Sequence, residues 1–149
     1  MEKLVLDNTR DENDFYQLEI DDNGNYIEFD LADIGLAERI MSAGDELEKL
    51  ALEEEEEKER IMTEETNSVK QARRLIELSS RVDKKKRELF DSFLGEGTCE
   101  KIFGNRKTEK QYFKLLEALE PHFKKMNFQI RKGKEKLAEK YLPKDEEVI

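Results

Sequence analysis

The sequence predicts a mainly α-helical protein with one small β-hairpin near its N-terminus. Two observations set that class. Apolar residues alternate with period two between Phe15 and Leu31, and from Leu36 onward they recur at spacings of three and four. A third bounds the interior: 43% of residues are charged and 36% apolar, so the core must be thin and much helix surface solvated. Its burial is then open to completion by a partner or a second copy.

In the first arm of the hairpin, Tyr16, Leu18 and Ile20 share a face and alternate with Gln17 and Glu19. In the second, Ile27, Phe29 and Leu31 alternate with Glu28 and Asp30. Asp21-Asp22-Asn23-Gly24-Asn25 lies between, rich in residues that tolerate the positive φ of a tight reversal. A two-stranded hairpin is marginal in water, so its apolar face should rest on a helix. Residues 1–14, ahead of it, are expected to be a flexible segment, and residues 15–35 the hairpin with its exit.

Residues 36–94 predict a long helical hairpin. Leu36, Ile40, Ala43, Leu47 and Leu50 form one narrow seam, with Asp33 placed to cap its start. The seam fades at the five carboxylates Glu53 to Glu57, and residues 63–68 read as the break. Ser68 and Gln71 have capping-box spacing. Val69, Ala72, Leu75, Ile76, Val82, Leu89, Phe90 and Phe93 then populate one broad side of the second helix, which Gly95 should stop.

Residues 95–142 predict a glycine-rich turn followed by C-terminal helices, and residues 143–149 a tail. Gly95, Gly97 and Gly104 should end or join helices, with Thr98 able to cap and with Ile102 and Phe103 buried beside Leu94, Leu115 or Leu116. Thr108 and Gln111 repeat the capping-box spacing ahead of Tyr112, Leu115, Leu116 and Leu119. Pro121 should kink that helix or start another, which carries Phe123, Met126 and Ile130 and frays near Gly133.

Charge is divided unevenly. Residues 1–66 hold 23 acidic and 6 basic side chains, a net of −17, and residues 67–149 hold 14 acidic and 21 basic, a net of +7. Such asymmetry favours head-to-tail contact within or between chains. In an antiparallel helical hairpin it sets the acidic first helix beside the basic Arg81–Arg87 stretch. An acidic whole with a moderately basic half is a poor nucleic-acid footprint, even with Lys84-Lys85-Lys86-Arg87 and Arg131-Lys132 present. No apolar run approaches the roughly 18–20 residues of a membrane span. With one cysteine there is no internal disulfide, so the cytosol is the expected compartment.

Catalytic and ligand-binding patterns are missing. Glu19, Asp21 and Asn23 with Gly24 sixth loosely resemble a calcium loop, but Asp30 stands twelfth in place of Glu and the flanks alternate as strands. Gly95-x-Gly97 lacks the third glycine and the lysine of a phosphate cradle. Cys99 and His122 have no visible base or oxyanion partner. Cys99 reads as a small buried group, and His122, beside Pro121, as a surface residue at a helix start. Neither an enzyme, a cofactor nor a bound metal is expected.

The segment Phe90-Asp91-Ser92-Phe93-Leu94-Gly95-Glu96-Gly97-Thr98-Cys99-Glu100-Lys101-Ile102-Phe103-Gly104 resembles the tail assembly chaperones of long-tailed phages and prophages of Gram-positive bacteria. In that family a helix ends in a Gly-x-Gly turn followed by a Cys-x-Lys-Ile/Val-Phe-Gly-like stretch. A further helix similar to Gln111 through Pro121 comes next, and upstream Phe29-Asp30-Leu31 and Ala37-Glu38-Arg39-Ile40-Met41 also look like the family. The likeness spans roughly residues 15–125, its specific part about thirty of them.

The resemblance implies a cytoplasmic chaperone that holds the tape measure protein soluble while tail tube protein polymerises around it, and that is absent from the finished virion. The tail tube protein is a second partner it suggests, and self-association a third. For the client surface the expectation is Phe90, Phe93, Tyr112, Phe113, Leu116, Leu119 and Phe123, with Phe128 beyond them, while the acidic half supplies solubility. The alternatives are a helical coiled-coil adaptor or oligomerisation protein and an acidic nucleic-acid-associated regulator.

Overall fold

The computed structural model describes residues 1–7 and 9–141, with the side chains of the last helix described as far as Lys132. The predicted tail, residues 143–149, lies outside the described residues. The molecule is mainly helical with an N-terminal two-stranded hairpin. Strand β1 (Phe15–Glu19) pairs antiparallel with β2 (Tyr26–Asp30), setting Tyr16 opposite Phe29 and Leu18 opposite Ile27. Both pairs lie on one face because side chains alternate along each strand.

The Asp21–Asn25 segment is a turn held by its own aspartate. Asp21 Oδ1 accepts from the backbone N–H groups of Asn23 (2.8 Å) and Asn25 (3.2 Å), and Oδ2 accepts from Asn25 Nδ2 at 2.7 Å. Among the described residues no group of three or more His, Cys, Asp or Glu is disposed to hold a metal.

Helix α1 (Ile34–Glu64) starts where expected, Asp33 accepting from Gly35 N at 2.8 Å. Helix α2 (Ser68–Leu94) corrects the predicted capping box by one residue. Asn67 is the cap, its Oδ1 accepting from Val69 N and Lys70 N, and Ser68 is already helical. Asn is as good an N-cap as Ser. Gln71 is thereby released to donate its Nε2 to Glu65 O at 3.0 Å, satisfying a carbonyl where α1 ends.

A short helix α3 (Thr98–Phe103) leads to α4 (Glu109–Tyr141), where Gln111 N donates to Thr108 Oγ1 at 3.2 Å, as the capping spacing implied. Pro121 does not divide α4 into two helices, and the helix continues through Lys132-Gly133-Lys134 to Tyr141. The proline removes one N–H that would have met the carbonyl of Glu117. Both residues are exposed, so water can take the donor's place.

Two apolar clusters result. At the base, Ile27 and Phe29 of the hairpin join Leu36 and Ala43 of α1, Phe90, Phe93 and Leu94 of α2, Cys99, and Tyr112, Leu119 and Met126 of α4. Farther along the helical hairpin, Ile61, Leu78 and Val82 form a separate cluster flanked by Leu50 and Leu75. Contacts fix the course of α4. Its first residue Glu109 approaches Lys58 of α1 at 3.9 Å, and Lys107 just before it reaches Ser80 of α2 at 3.3 Å. At the other end Phe123 meets Phe29, so α4 runs from the middle of the α1–α2 pair down to the β-hairpin. The distal parts of α1 and α2 therefore extend past α4 as a two-helix stalk.

The stalk corrects the predicted apolar side of α2. Val69, Ala72 and Ile76 are exposed, and the buried residue there is Leu78, outside the expected set. Among the described residues only α1 covers α2 in the stalk, and the side it encloses carries Leu75, Leu78 and Val82.

The expected pairing of acidic α1 with the basic stretch of α2 takes the form of a groove. Glu46 and Glu53 line it with Arg81, Lys84 and Lys85, and Leu50 and Val82 lie among them.

Candidate protein-binding site

The turn that carries the family-like motif is built around buried polar groups of α2. Gly95, Gly97 and Gly104 take φ of 111, 80 and 60°, conformations that side chains resist, and so end or join helices as expected. Thr98 does not cap α3. Its Oγ1 donates back to Leu94 O at 3.2 Å. The cap is Asp91, which accepts from Gly97 N (3.1 Å) through Oδ2 and from Cys99 N (2.9 Å) through Oδ1. A cap reaching forward six and eight residues has no ordinary spacing signature, which is why the sequence did not reveal it.

One turn earlier, Arg87 ties three segments together. Its Nε donates to Asp83 Oδ2 at 3.0 Å, and its two terminal nitrogens donate to the carbonyls of Gly104 (2.8 Å) and Arg106 (2.7 Å). Tyr112 OH donates to the other oxygen of Asp83 at 2.5 Å. Burial opposes the guanidinium charge, but the Asp83 carboxylate outweighs it and holds the Arg87 pKa above its ordinary value. Burial, and then the bond to Asp83, push the Tyr112 hydroxyl up to about 12.

Cys99 is fully enclosed, as expected. Burial first and the Asp91 carboxylate second raise its thiol to about 12, so it stays protonated at neutral pH and is a poor nucleophile. His122 departs from the surface position expected of it. It lies within α4, half-buried, with Nδ1 2.6 Å from Tyr16 OH, and so joins α4 to β1. In the Lys84–Arg87 run, Lys85 pairs with Glu88 at 3.8 Å, Lys86 lies over the Tyr112 ring and Arg87 is fully engaged. Lys86 and Arg87 are thereby tied into the fold, while Lys84 and Lys85 are exposed.

The residues expected to receive a client divide sharply. Phe90, Phe93, Tyr112 and Leu119 are core, not surface. Tyr112, Leu119 and Met126 are spaced by seven and form the buried line of α4, while Phe90 stacks against Tyr112 with ring centroids 5.4 Å apart. Phe123 is half-buried, edge-on to Phe29. Phe113 and Leu116, by contrast, are 71% and 42% exposed, and Phe128 is exposed beyond them. Phe103, expected buried, is half-buried and edge-on to Tyr112 at 5.3 Å, and Ile102 is also half-buried.

The acidic half supplies Ile27, Phe29, Leu36 and Ala43 to the same core as Phe90 and Leu119, so it is part of the scaffold. Of the expected client residues Phe113, Leu116 and Phe128 remain exposed on α4, the first two one turn apart, and the stalk adds Met62, Val69 and Ile76.

No curated protein and no solved structure matches the chain. A family model matches residues 23–147, from the hairpin turn through α4, and the chain belongs to that family, described as a family of unknown function (DUF6673).

Proposed function

We propose that this protein is a tail assembly chaperone of a long-tailed phage or prophage, which binds the tape measure protein and keeps it in solution during tail morphogenesis. The observation that carries the binding role is the exposed pair Phe113 and Leu116, at i and i+3 on α4 and beside the buried line of Tyr112, Leu119 and Met126. Such a pair offers anchors for an amphipathic helix laid across α4. The motif from Phe90 to Gly104 supports the choice of client, since it resembles the chaperone family in the segment that positions the start of α4. The strongly charged surface supports a solubilising role. In this reading the protein acts in the host cytoplasm and is absent from the finished virion, with the tail tube protein as a further contact.

The test is co-expression with a tape measure protein of a long-tailed phage. The full chain should raise the soluble yield of the client and co-purify with it, and the double substitution F113D/L116D should abolish both without unfolding the chaperone. A client equally soluble with and without the full chain overturns the proposal. The distal stalk favours a second reading, an adaptor that presents paired helices to another protein. In that case co-purification would depend on Val69 and Ile76 and not on Phe113.

A further inference from the structure

Val69, Ile76, Asp83 and Phe90 are spaced by seven along α2 and so share one face, on which Ala72 and Ser79 lie between them. The lower end of that face is the seat of α4, where Asp83 accepts from Tyr112 OH and Phe90 packs on the same ring. Above Asp83 the face is open. Val69 and Ile76 are 72% and 69% exposed, Ala72 and Ser79 are exposed beside them, and no charged side chain interrupts the line Val69, Ala72, Ile76, Ser79.

On α1 the matching side is marked by Lys58, which reaches Glu109 at the start of α4 at 3.9 Å. Glu55 and Met62 stand three residues before and four after Lys58 and share its side, with Glu59 at the margin. Met62 is exposed, and Gln71 Nε2 approaches its carbonyl at 3.5 Å, which sets it beside the start of α2. Lys58 is shared by Glu54 and Glu109, and Arg60 is taken by Glu57. Glu55 and Glu59 are exposed and have no cation partner among the described residues. The other edge, on α2 beyond Val69 and Ile76, carries Arg73. The two helices thus continue above α4 the groove that α4 fills below, apolar along its middle and acidic along one edge.

We infer that this open stretch seats a helix of another protein, one with apolar side chains on the inward face and Lys or Arg along the edge that lies over α1. The inference goes beyond the client pair on α4, since Phe113 and Leu116 take no part in it. Continuity supports the helical form of the occupant. A helix already fills the lower part of the same groove and begins where the open stretch ends, Lys107 bonding Ser80 at 3.3 Å at the junction. From Ser68 to Ser79 the open stretch is about 17 Å long at roughly 1.5 Å per residue, room for three turns. Charge supports the side-chain pattern. Cations over α1 meet Glu55 and Glu59, whereas cations on the other edge meet Arg73.

Fluorescence anisotropy of the full chain with a synthetic peptide tests this. The probe is a labelled helix of about fourteen residues, with leucines at i, i+3, i+7 and i+10 and lysines along one adjoining edge. Its control carries glutamates in place of the lysines. The chain should bind the lysine peptide, and the glutamate peptide at least tenfold more weakly. I76D should weaken the lysine peptide at least tenfold. That variant adds a negative charge, so mere attraction of cations to an acidic surface would raise the affinity instead. I76S, which adds no charge, should also weaken binding, and the circular dichroism of both variants should match wild type. F113D/L116D should leave the affinity within twofold, so this seat and the client surface on α4 stand or fall separately. A peptide that does not bind, that binds I76D as well as wild type, or that is lost with F113D/L116D overturns the inference. So does a groove taken by a second copy, seen as self-association that I76D abolishes and the peptide does not displace.

Discussion

The base and the stalk are made from the same two helices, and they differ in what a third element adds. At the base, the β-hairpin and α4 close over α1 and α2, enclosing Phe29, Phe90, Leu119 and Cys99 almost completely. In the stalk the pair has only its mutual seam of Ile61, Leu78 and Val82, and the heptad partners of Asp83 and Phe90 face solvent. Along the seven-residue line the apolar Val69 and Ile76 are exposed, while Phe90 and even the charged Asp83 below them are buried. Whether such a residue is core or surface is decided by the neighbour, not by its own helix. A pattern within one helix therefore predicts a face, and only the packing assigns that face a role.

Substitutions should sharpen this contrast. Replacing Phe90 by Ala empties a fully enclosed site and should cost about 3–5 kcal/mol, read by denaturant unfolding. Replacing Ile76 by Ala should change stability by less than about 0.5 kcal/mol. If the two effects were comparable, base and stalk would not be distinct. Arg87→Met leaves Asp83 buried without its cation and two carbonyls without a donor, and should cost on the order of 3 kcal/mol. Arg87→Lys should recover only part of that loss, because an ammonium cannot span Asp83 and both carbonyls at once.

Leu78→Ala should cost about 2–3 kcal/mol, and the loss should be local. Amide exchange ought to speed up in residues 53–80 while the base keeps its protection. A uniform increase would mean that the stalk and base unfold as one unit.

The smallest effect expected is on pH dependence, and it belongs to the base. Cys99 and Tyr112 have folded pKa values raised to about 12, against ordinary values of 9.0 and 10.0. Both are neutral when protonated, so their contribution is intact below pH 9. It falls as pH rises toward 12, because the unfolded chain releases those protons first. The unfolding midpoint should be flat through neutrality and decline above about pH 9. C99A should remove the earlier part of the decline and Y112F the later part.

Much of the fold was legible because local chemistry states it. The alternation in Tyr16, Leu18, Ile27 and Phe29 gives the hairpin, Asp33 and Thr108 cap helices, and the glycines at 95, 97 and 104 mark turns. Other features depend on residues distant in sequence and left no local trace. Asp91 caps a helix that begins seven residues after it, and His122 faces a tyrosine of β1. Pro121 predicts a kink or a new helix because a proline costs a helix one bond, yet α4 continues through it, and on an exposed face water offsets that loss. The candidate surface was the least legible part. Phe90, Phe93, Tyr112 and Leu119 have the same large apolar side chains as Phe113 and Leu116, and composition alone cannot tell an anchor for a partner from a piece of the core. The Asp83–Arg87 spacing of four was the one available hint that this stretch of α2 is tied into the interior.

The claim that the exposed side of α4 receives a helical client is tested most directly by amide hydrogen exchange of the full chain, free and bound to the tape measure protein. The strongest new protection should fall in residues 109–120, around Phe113 and Leu116, and should be lost with F113D/L116D. A bound client that leaves exchange across α4 unchanged, or that protects only segments outside it, would contradict the account.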